Sequence, residues 1–185
     1  MQTFLLATGL VAVAEIGDKT QLLSLVLAAR FRKPWPIVAG IALATLLNHA
    51  AAAALGSWVT THVPADWLRW IVGLSFIAMA GWALVPDRLD EGAQQVGRFG
   101  VFLTTLVAFF IAEIGDKTQV ATIALAAQEG VFVAVVAGTT LGMLIANVPV
   151  VFLGERLTRR LPLRAIRGVA AALFAVLGVW VLLRG

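Results

Sequence analysis

Cysteine is absent from the 185 residues of this chain, and only 13% of the residues are charged. The lack of cysteine excludes disulfide bonds, thiolate metal ligands and cysteine nucleophiles. Hydrophobic residues, by contrast, make up 61% of the sequence. A soluble domain of this length could not bury so much apolar surface, so we predict an integral membrane protein. The net charge is +4, but the basic residues lie between apolar segments, and no nucleic-acid partner is predicted.

Six apolar segments are long enough, or nearly so, to cross the bilayer, which takes about 20 helical residues. They cover residues 3–29, 35–59, 67–85, 100–127, 131–153 and 166–183. The N-terminus lacks a basic leader and carries acidic residues where a cleavage site would be expected. We therefore expect the first segment to be a spanning helix rather than a signal peptide. The fold predicted is an all-α integral membrane protein with six transmembrane helices.

The two halves of the chain repeat one another. The string Glu-Ile-Gly-Asp-Lys-Thr-Gln begins at Glu15 and again at Glu113, a shift of 98 residues. The same shift matches 11 of 16 positions between residues 14–29 and 112–127. We predict three-helix repeats at 1–85 and 100–185, forming one membrane domain, with a cytoplasmic linker at 86–99. Because each repeat holds an odd number of spans, the repeats should be inverted in the membrane, as in many secondary transporters.

Basic residues are distributed unevenly among the loops. If the loops after spans 1, 3 and 5 face the cytoplasm, they hold ten basic residues, and the other side holds only Arg69 and Arg184. The positive-inside rule then predicts that both termini lie outside the cytoplasm. All six tryptophans fall near predicted span ends, as in an aromatic belt at the membrane interface.

Both copies of the motif lie within apolar segments, where charge is costly. A charged side chain at the centre of a membrane helix costs roughly 2.5–3.5 kcal/mol, so six would cost on the order of 15–20 kcal/mol if unpaired. The six are Glu15, Asp18, Lys19, Glu113, Asp116 and Lys117. Ion pairs that merely join helices explain the motif poorly, because each copy carries an excess carboxylate. We therefore predict a functional site near the middle of the membrane.

The residue types of the motif indicate a site for a divalent cation. Four carboxylates and two ammonium groups leave a net charge of −2, which a divalent cation would neutralise. Carboxylate, carbonyl and amide oxygens suit hard cations such as Ca²⁺, Mg²⁺ and Mn²⁺. The metal ligands predicted are Glu15, Asp18, Glu113 and Asp116, with Gln21 and Gln119 as further candidates.

Other residues of the motif are predicted to support the site. Gly17 and Gly115 are expected to act as hinges where the helix can break. Lys19 and Lys117 should serve as counter-ions, or take the place of the departing ion. On a continuous helix, Asp18 and Lys19 would lie beside Glu15, with the following threonine turned away from it.

Polar side chains at membrane depth are candidates for the ion pathway. They are Thr20, Thr118, Asn48, His49 and Asn147. For the last three, hydrogen bonds between helices are an equally good explanation. For the two threonines, hydrogen bonds to backbone carbonyls around the glycines are the alternative.

The doubled Glu-x-Gly-Asp-Lys-Thr motif resembles that of a family that includes bacterial MneA-type manganese exporters and eukaryotic Golgi calcium/manganese–proton exchangers. The resemblance covers the whole chain, with one motif in the first helix of each half. It implies an exporter in the bacterial inner (plasma) membrane, with Mn²⁺ as main cargo, Ca²⁺ as a further cargo, and H⁺ or Na⁺ as coupling ion. By the same resemblance, the four acids of the two motifs form the cation site, and no cofactor is expected.

Two other functions stay open at this point. A passive divalent cation channel would use the same acids, and the sequence separates it poorly from a carrier. An intramembrane aspartyl protease would use Asp18 and Asp116, but such a dyad needs one protonated carboxylate, which the adjacent lysines oppose. We expect an alternating-access transporter rather than an enzyme. The coupling ion and the formation of a homodimer are not decided by the sequence.

Overall fold

The computed structural model describes residues 1–85, 100–154 and 162–184. Within these ranges the chain forms only helices and their connections. The eight helices are α1 (Gln2–Glu15), α2 (Lys19–Phe31), α3 (Pro34–His62), α4 (Ala65–Ala83), α5 (Gly100–Glu113), α6 (Lys117–Glu129), α7 (Phe132–Leu153) and α8 (Leu163–Leu183). The linker predicted at 86–99 and part of the basic loop predicted after the fifth span lie outside the described residues.

The first and fourth apolar segments are each divided into two helices. Between α1 and α2, Gly17 has a φ of 84°, and between α5 and α6, Gly115 has a φ of 73°. Glycine adopts this left-handed conformation without the steric cost that a Cβ brings. The expectation of a continuous helix through the motif is therefore wrong, and so is the placement of side chains derived from it. The breaks occur at the two glycines predicted as hinges, although their movement stays a prediction.

The helices repeat with the same spacing as the motif. The first four begin at residues 2, 19, 34 and 65, and the last four begin at 100, 117, 132 and 163. Each helix of the second half thus begins 98 residues after its counterpart, which is the shift that aligns the two motifs. The duplication read from the sequence is present in the secondary structure.

Three helices, α3, α7 and α8, are long and apolar enough to span a membrane by length and composition. The helices α1 and α5 are also apolar but shorter, with 14 residues each. At 1.5 Å per residue, a 14-residue helix is about 21 Å long, short of the roughly 30 Å hydrocarbon core. The all-α prediction is confirmed for the described residues, and these three apolar helices are consistent with a membrane protein, while the count of six spans stays a prediction.

Close backbone contacts join α1 to α7, a long helix of the other repeat. A Cβ added to Gly138 of α7 would lie 2.6 Å from the carbonyl oxygen of Phe4, and one added to Gly142 would lie 2.6 Å from that of Thr8. The contacts advance together along α1 and α7, so these helices run in the same direction. Small residues permit such close approach between membrane helices.

Equivalent helices of the two repeats cross one another at glycines. On α4, Gly73 contacts Leu182 and the carbonyl oxygen of Gly178, and on α8, Gly178 contacts Ile77. From Gly73 to Ile77 on α4, the contacts on α8 move back from Leu182 to Gly178. The two helices therefore run in opposite directions. They occupy corresponding places in the two halves, since they begin 98 residues apart.

The distribution of polar residues is inverted relative to a soluble protein. Large apolar side chains such as Leu74, Ile111 and Val176 are exposed on the outer surface, whereas seventeen polar residues of the described ranges are buried, five of them charged. Soluble proteins almost never bury so many charged groups unless they are paired. Two apolar clusters pack among the helices, one containing Phe76 and Phe174 and the other Phe109. The buried charged residues all belong to the two motifs, where the divided helices break.

Candidate metal centre

The two chain breaks bring the charged residues of both motifs to one place. Glu15 and Glu113 are the last residues of α1 and α5, while Asp18 and Asp116 immediately precede α2 and α6. An aspartate in that position commonly accepts a hydrogen bond from the first turn of the helix. Neither aspartate forms such a cap with its side chain here. The positive ends of the two helix dipoles nevertheless favour negative charge at these carboxylates.

Three of the four acidic side chains lie close together, and we refer to them below as the carboxylate group. Glu15, Asp18 and Asp116 each offer a carboxylate oxygen, and these three oxygens lie within 4.8 Å of one another. All three residues are buried, with at most 1% of their surface exposed. The group draws two residues from the first motif and one from the second. The prediction that the two motifs meet thus agrees with the geometry, although the fourth acid, Glu113, is not a member of this group.

The lysines form ion pairs across the repeats. Lys117 of the second motif pairs with Asp18 of the first, and Lys19 of the first lies 3.7 Å from Asp116 of the second. The side chain of Lys117 is 4% exposed and that of Lys19 is 17% exposed, so the two pairs differ in burial. Each ammonium group therefore neutralises a carboxylate that the other half of the chain supplies.

Glu113 is buried beside the carboxylate group and is held by α3. Its Oε1 accepts a hydrogen bond of 2.6 Å from the Thr45 hydroxyl, and its Oε2 accepts one of 3.1 Å from the Asn48 amide. The same amide donates to the carbonyl oxygen of Phe110 at 3.1 Å. Asn48 was predicted from its depth in the membrane, whereas Thr45 was missed. The available signal was that Thr45 lies one helical turn before Asn48 and shares its face.

The threonines of the two motifs have different partners. Thr20 donates its hydroxyl hydrogen to Glu15, so the expectation that it points away from the glutamate is wrong. The cause is the break at Gly17, which changes the direction of the side chains at the start of α2 from the one that a continuous helix would give. Thr118 instead donates to Asp116, at 3.2 Å.

The two predicted glutamine ligands stabilise the chain breaks. The amide oxygen of Gln21 accepts a hydrogen bond from the backbone N–H of Gly17 at 2.9 Å, and that of Gln119 accepts one from Gly115 at 2.8 Å. Gln21 also donates to the carbonyl oxygen of Ala146 at 3.0 Å, which joins α2 to α7. In this structure their oxygens are thus directed to the backbone rather than to the carboxylate group.

The remaining pathway candidates lie on α3 and α7. Asn147 accepts a hydrogen bond of 2.8 Å from Ser24, a residue that sequence reasoning missed, and donates to the carbonyl oxygen of Met143 at 3.1 Å. His49 is 1% exposed, and neither of its ring nitrogens has a hydrogen-bond partner within the described ranges. Asn147 therefore joins two helices, which is one of the two explanations that its sequence position allowed.

The group has the chemistry of a site for a hard divalent cation. Its donors are carboxylate oxygens, which suit Ca²⁺, Mg²⁺ and Mn²⁺, and sulfur and imidazole ligands are absent from the group. Oε1 of Glu15 is buried and has no hydrogen-bond partner in the described part of the chain, so it is available to a ligand. The ammonium groups of Lys19 and Lys117 lie next to these carboxylates and balance part of their negative charge.

Comparison with known proteins agrees with this chemistry. The profile of the family described as "Divalent cation/proton antiporter GDT1" matches residues 3–91 and 101–185. A protein of Vibrio cholerae named "Putative manganese exporter" is 54% identical over 170 residues, which cover 91% of this chain and 84% of that protein.

More distant relatives occur in cyanobacteria and plants. A GDT1-like protein of Synechocystis is 27% identical, with 92% of this chain and 93% of that protein aligned. GDT1-like protein 4 of Arabidopsis thaliana is 25% identical, over 97% of this chain and 94% of that protein. No solved structure matches the fold significantly. The family is one of transporters, so the protein is a transporter rather than the protease considered above. The chain belongs to the GDT1 family of divalent cation/proton antiporters.

Proposed function

We propose that this protein exports divalent cations across the bacterial inner membrane, with Mn²⁺ as its main cargo and Ca²⁺ as a further one, in exchange for protons. The observation that carries the proposal is the buried group of Glu15, Asp18 and Asp116, to which both repeats contribute. The family description supports a divalent cation and a proton as the exchanged ions. The name of the Vibrio relative supports manganese and the outward direction. Sodium is the alternative coupling ion.

The transport cycle would use six spans arranged as two inverted repeats. Support comes from α4 and α8, which hold equivalent places in the two halves and run in opposite directions. Further support comes from two pairs of short helices, α1 with α2 and α5 with α6. Each pair would form one span, with the break at the motif. Inverted repeats with broken helices at a central site are typical of carriers that alternate access by moving one repeat against the other. Both termini would lie outside the cytoplasm.

The lysines would exchange places with the cargo. A divalent cation entering the carboxylate group would displace Lys117 from Asp18 and weaken the contact of Lys19 with Asp116. When the metal leaves, the ammonium groups would return, so the carboxylates would keep a positive partner in both conditions. Leaving a buried charge without its partner costs about 3–5 kcal/mol, and this exchange avoids that cost for the carboxylates.

Flux into proteoliposomes tests the proposal. Purified protein should move Mn²⁺ at a rate that rises with an imposed pH gradient, because exchange couples the two ions. The double variant Asp18→Asn, Asp116→Asn should lose this flux, since two of the three clustered carboxylates become neutral amides. Asp66→Asn is the matched control, because Asp66 is an exposed aspartate in the first turn of α4.

Two results would contradict the proposal. Full Mn²⁺ flux in the double variant would show that the carboxylate group does not carry the metal. Flux that ignores both the pH gradient and a sodium gradient, and that does not saturate with Mn²⁺ concentration, would indicate a channel instead of an exchanger.

A further inference from the structure

The four motif acids are divided unequally. Three of them form the carboxylate group of Glu15, Asp18 and Asp116. The fourth, Glu113, accepts hydrogen bonds from Thr45 and Asn48 on its two carboxylate oxygens. Glu15 is its counterpart in the first repeat, and Oε1 of Glu15 has no hydrogen-bond partner among the described residues. The two glutamates thus occupy different environments, although the motifs around them are identical in sequence.

The difference originates in the long helices that face the motifs. A shift of 98 residues places Met143 and Ala146 of α7 at the positions that Thr45 and Asn48 hold on α3. Methionine and alanine cannot donate a side-chain hydrogen bond to a carboxylate, whereas the threonine hydroxyl and the asparagine amide can. The difference between the two glutamates therefore follows from the different sequences of α3 and α7.

The number of carboxylates around a cation influences which cation binds best. Ca²⁺ takes six to eight oxygen ligands and accommodates bidentate carboxylates, whereas Mg²⁺ requires a nearly ideal octahedron of six. Octahedral sites of six oxygen ligands suit Mg²⁺, Mn²⁺ and Ca²⁺ alike, and Ca²⁺ also accepts seven or eight ligands. A fourth carboxylate would add two oxygens and one negative charge to the group. This addition would favour the larger ion with more ligands over the smaller one.

We propose that Thr45, together with Asn48, is a specificity-determining residue that holds Glu113 away from the metal and so disfavours Ca²⁺ relative to Mn²⁺. These hydrogen bonds hold the carboxylate of Glu113 against α3, so the carboxylate group contains three carboxylates instead of four. The inference rests on the proposed function, because it assumes that the three-carboxylate group binds the cargo. It goes further in giving a role to a residue outside the motif.

Titration of the purified full-length protein in detergent with Mn²⁺ and with Ca²⁺, by calorimetry, tests the inference. Thr45→Val keeps the shape of the side chain and removes the hydroxyl donor. In this variant the ratio of the Ca²⁺ to the Mn²⁺ dissociation constant should fall about tenfold, because ligand number and charge set affinity in such sites. Thr45→Ser keeps the hydroxyl and should retain the wild-type ratio.

Thr139→Val is the matched control. Thr139 is also a buried threonine on a long helix, but its hydroxyl donates to the backbone of its own helix, at 2.8 Å from the carbonyl oxygen of Val135. Its replacement should leave the ratio of dissociation constants unchanged. In the double variant Thr45→Val, Glu113→Gln, the gain in relative Ca²⁺ affinity should disappear, because the released side chain no longer carries a charge.

The outcomes separate the inference from the proposed function. If the wild-type protein binds neither Mn²⁺ nor Ca²⁺, the proposed function fails. If it binds Mn²⁺ but Thr45→Val leaves the ratio within twofold, or Thr139→Val changes it equally, the inference is overturned while the function stands. Should Thr45→Val fail to fold, Thr45→Ala provides the same comparison, and an unchanged ratio there is equally decisive.

Discussion

At the scale of single residues, the two lysines of the motif are not equivalent. Lys117 is the more buried of the two, and its partner Asp18 is almost fully buried. Lys19 is more exposed and lies at the longer distance of 3.7 Å from its aspartate. Since exposed ion pairs contribute little to stability and breaking a buried pair is costly, Lys117 should matter more in the metal-free protein.

We expect Lys117→Met to destabilise the metal-free protein by about 3–5 kcal/mol, because the substitution removes the ammonium partner of a buried carboxylate. Added Mn²⁺ should restore much of this loss, so the rise in melting temperature on adding Mn²⁺ should exceed that of the wild type. Lys19→Met is the comparison variant and should show a smaller change in both measurements. Equal melting temperatures for metal-free wild type and Lys117→Met, in a detergent-based thermal assay, would contradict the expectation.

The sequence predicted which residues of the motif meet, but not their partners. Buried charge repeated at one spacing predicted one group of four acids, of which Glu15, Asp18 and Asp116 lie together and Glu113 lies outside the group. The contact between Thr45 and Glu113 depends on how α3 and α5 are rotated against each other, and hydropathy does not encode that rotation. The side chain of Thr20 was wrongly predicted to point away from Glu15, because that prediction holds only for an unbroken helix.

At the scale of helices, the two glycines of the chain breaks face different surroundings. Both have positive φ, but a Cβ on Gly17 would also lie 2.8 Å from the side chain of Leu163 at the start of α8. A Cβ on Gly115 would have nothing within 4 Å. A substitution at Gly115 therefore meets backbone strain alone, whereas one at Gly17 meets backbone strain and a steric contact.

We expect Gly115→Ala to lower stability by about 1–2 kcal/mol, the cost of a left-handed conformation for a residue with a Cβ. Gly17→Ala should cost more. Adding Leu163→Ala to Gly17→Ala should recover the steric part, after correction for the effect of Leu163→Ala alone. Thermal unfolding of the four variants in detergent measures these differences. Equal losses for the two glycine variants would show that Leu163 does not press on the break.

The contact between α1 and α7 should be sensitive to added volume. A Cβ on Gly142 would lie 2.6 Å from the carbonyl oxygen of Thr8 and 2.9 Å from the backbone nitrogen of Ala12, neither of which can turn aside. Overpacking typically costs about 1–3 kcal/mol, and Gly142→Val should cost at least that. Gly9→Val on α1 is the control, since a Cβ there meets nothing within 4 Å. Similar yields and melting temperatures for the two variants would contradict this prediction.

Hydropathy predicted where helices occur better than where they end. The apolar segments at 35–59 and 131–153 correspond to α3 and α7, because long uncharged stretches leave few alternatives to a helix. The segments containing the motif also read as continuous, because apolar stretches flank the seven-residue string on both sides and hydropathy carries no signal for a break in the helix. Only the positive φ of the two glycines, a backbone property, divides them.

At the scale of the whole molecule, the absence of cysteine makes the membrane topology directly testable. Single cysteines introduced at Thr61 and at Lys33, both exposed, would need no prior removal of native thiols. In intact spheroplasts, a membrane-impermeant maleimide should label Thr61→Cys, which we place outside, and should not label Lys33→Cys. Both should be labelled once the membrane is permeabilised. The opposite pattern in intact cells would reverse the predicted orientation.

The spacing of the repeated motif recurs in the helices along the whole chain. A shift of 98 residues aligns both the motif and the starts of the helices, because a gap-free repeat conserves spacing as well as chemistry. The sequence did not reveal which helices of the two halves would be neighbours. That information came from the backbone contacts at glycines such as Gly138 and Gly73.

The ion pairs of Lys19 and Lys117 across the halves have a consequence for the origin of the protein. Neither half could neutralise its own aspartate in this way, so an ancestral half-length polypeptide would have needed a second copy inserted upside down. Two identical copies, however, could not have treated their glutamates differently. The hydroxyl of Thr45, at the position where the second half has the thioether of Met143, is a distinction that requires two copies with different sequences.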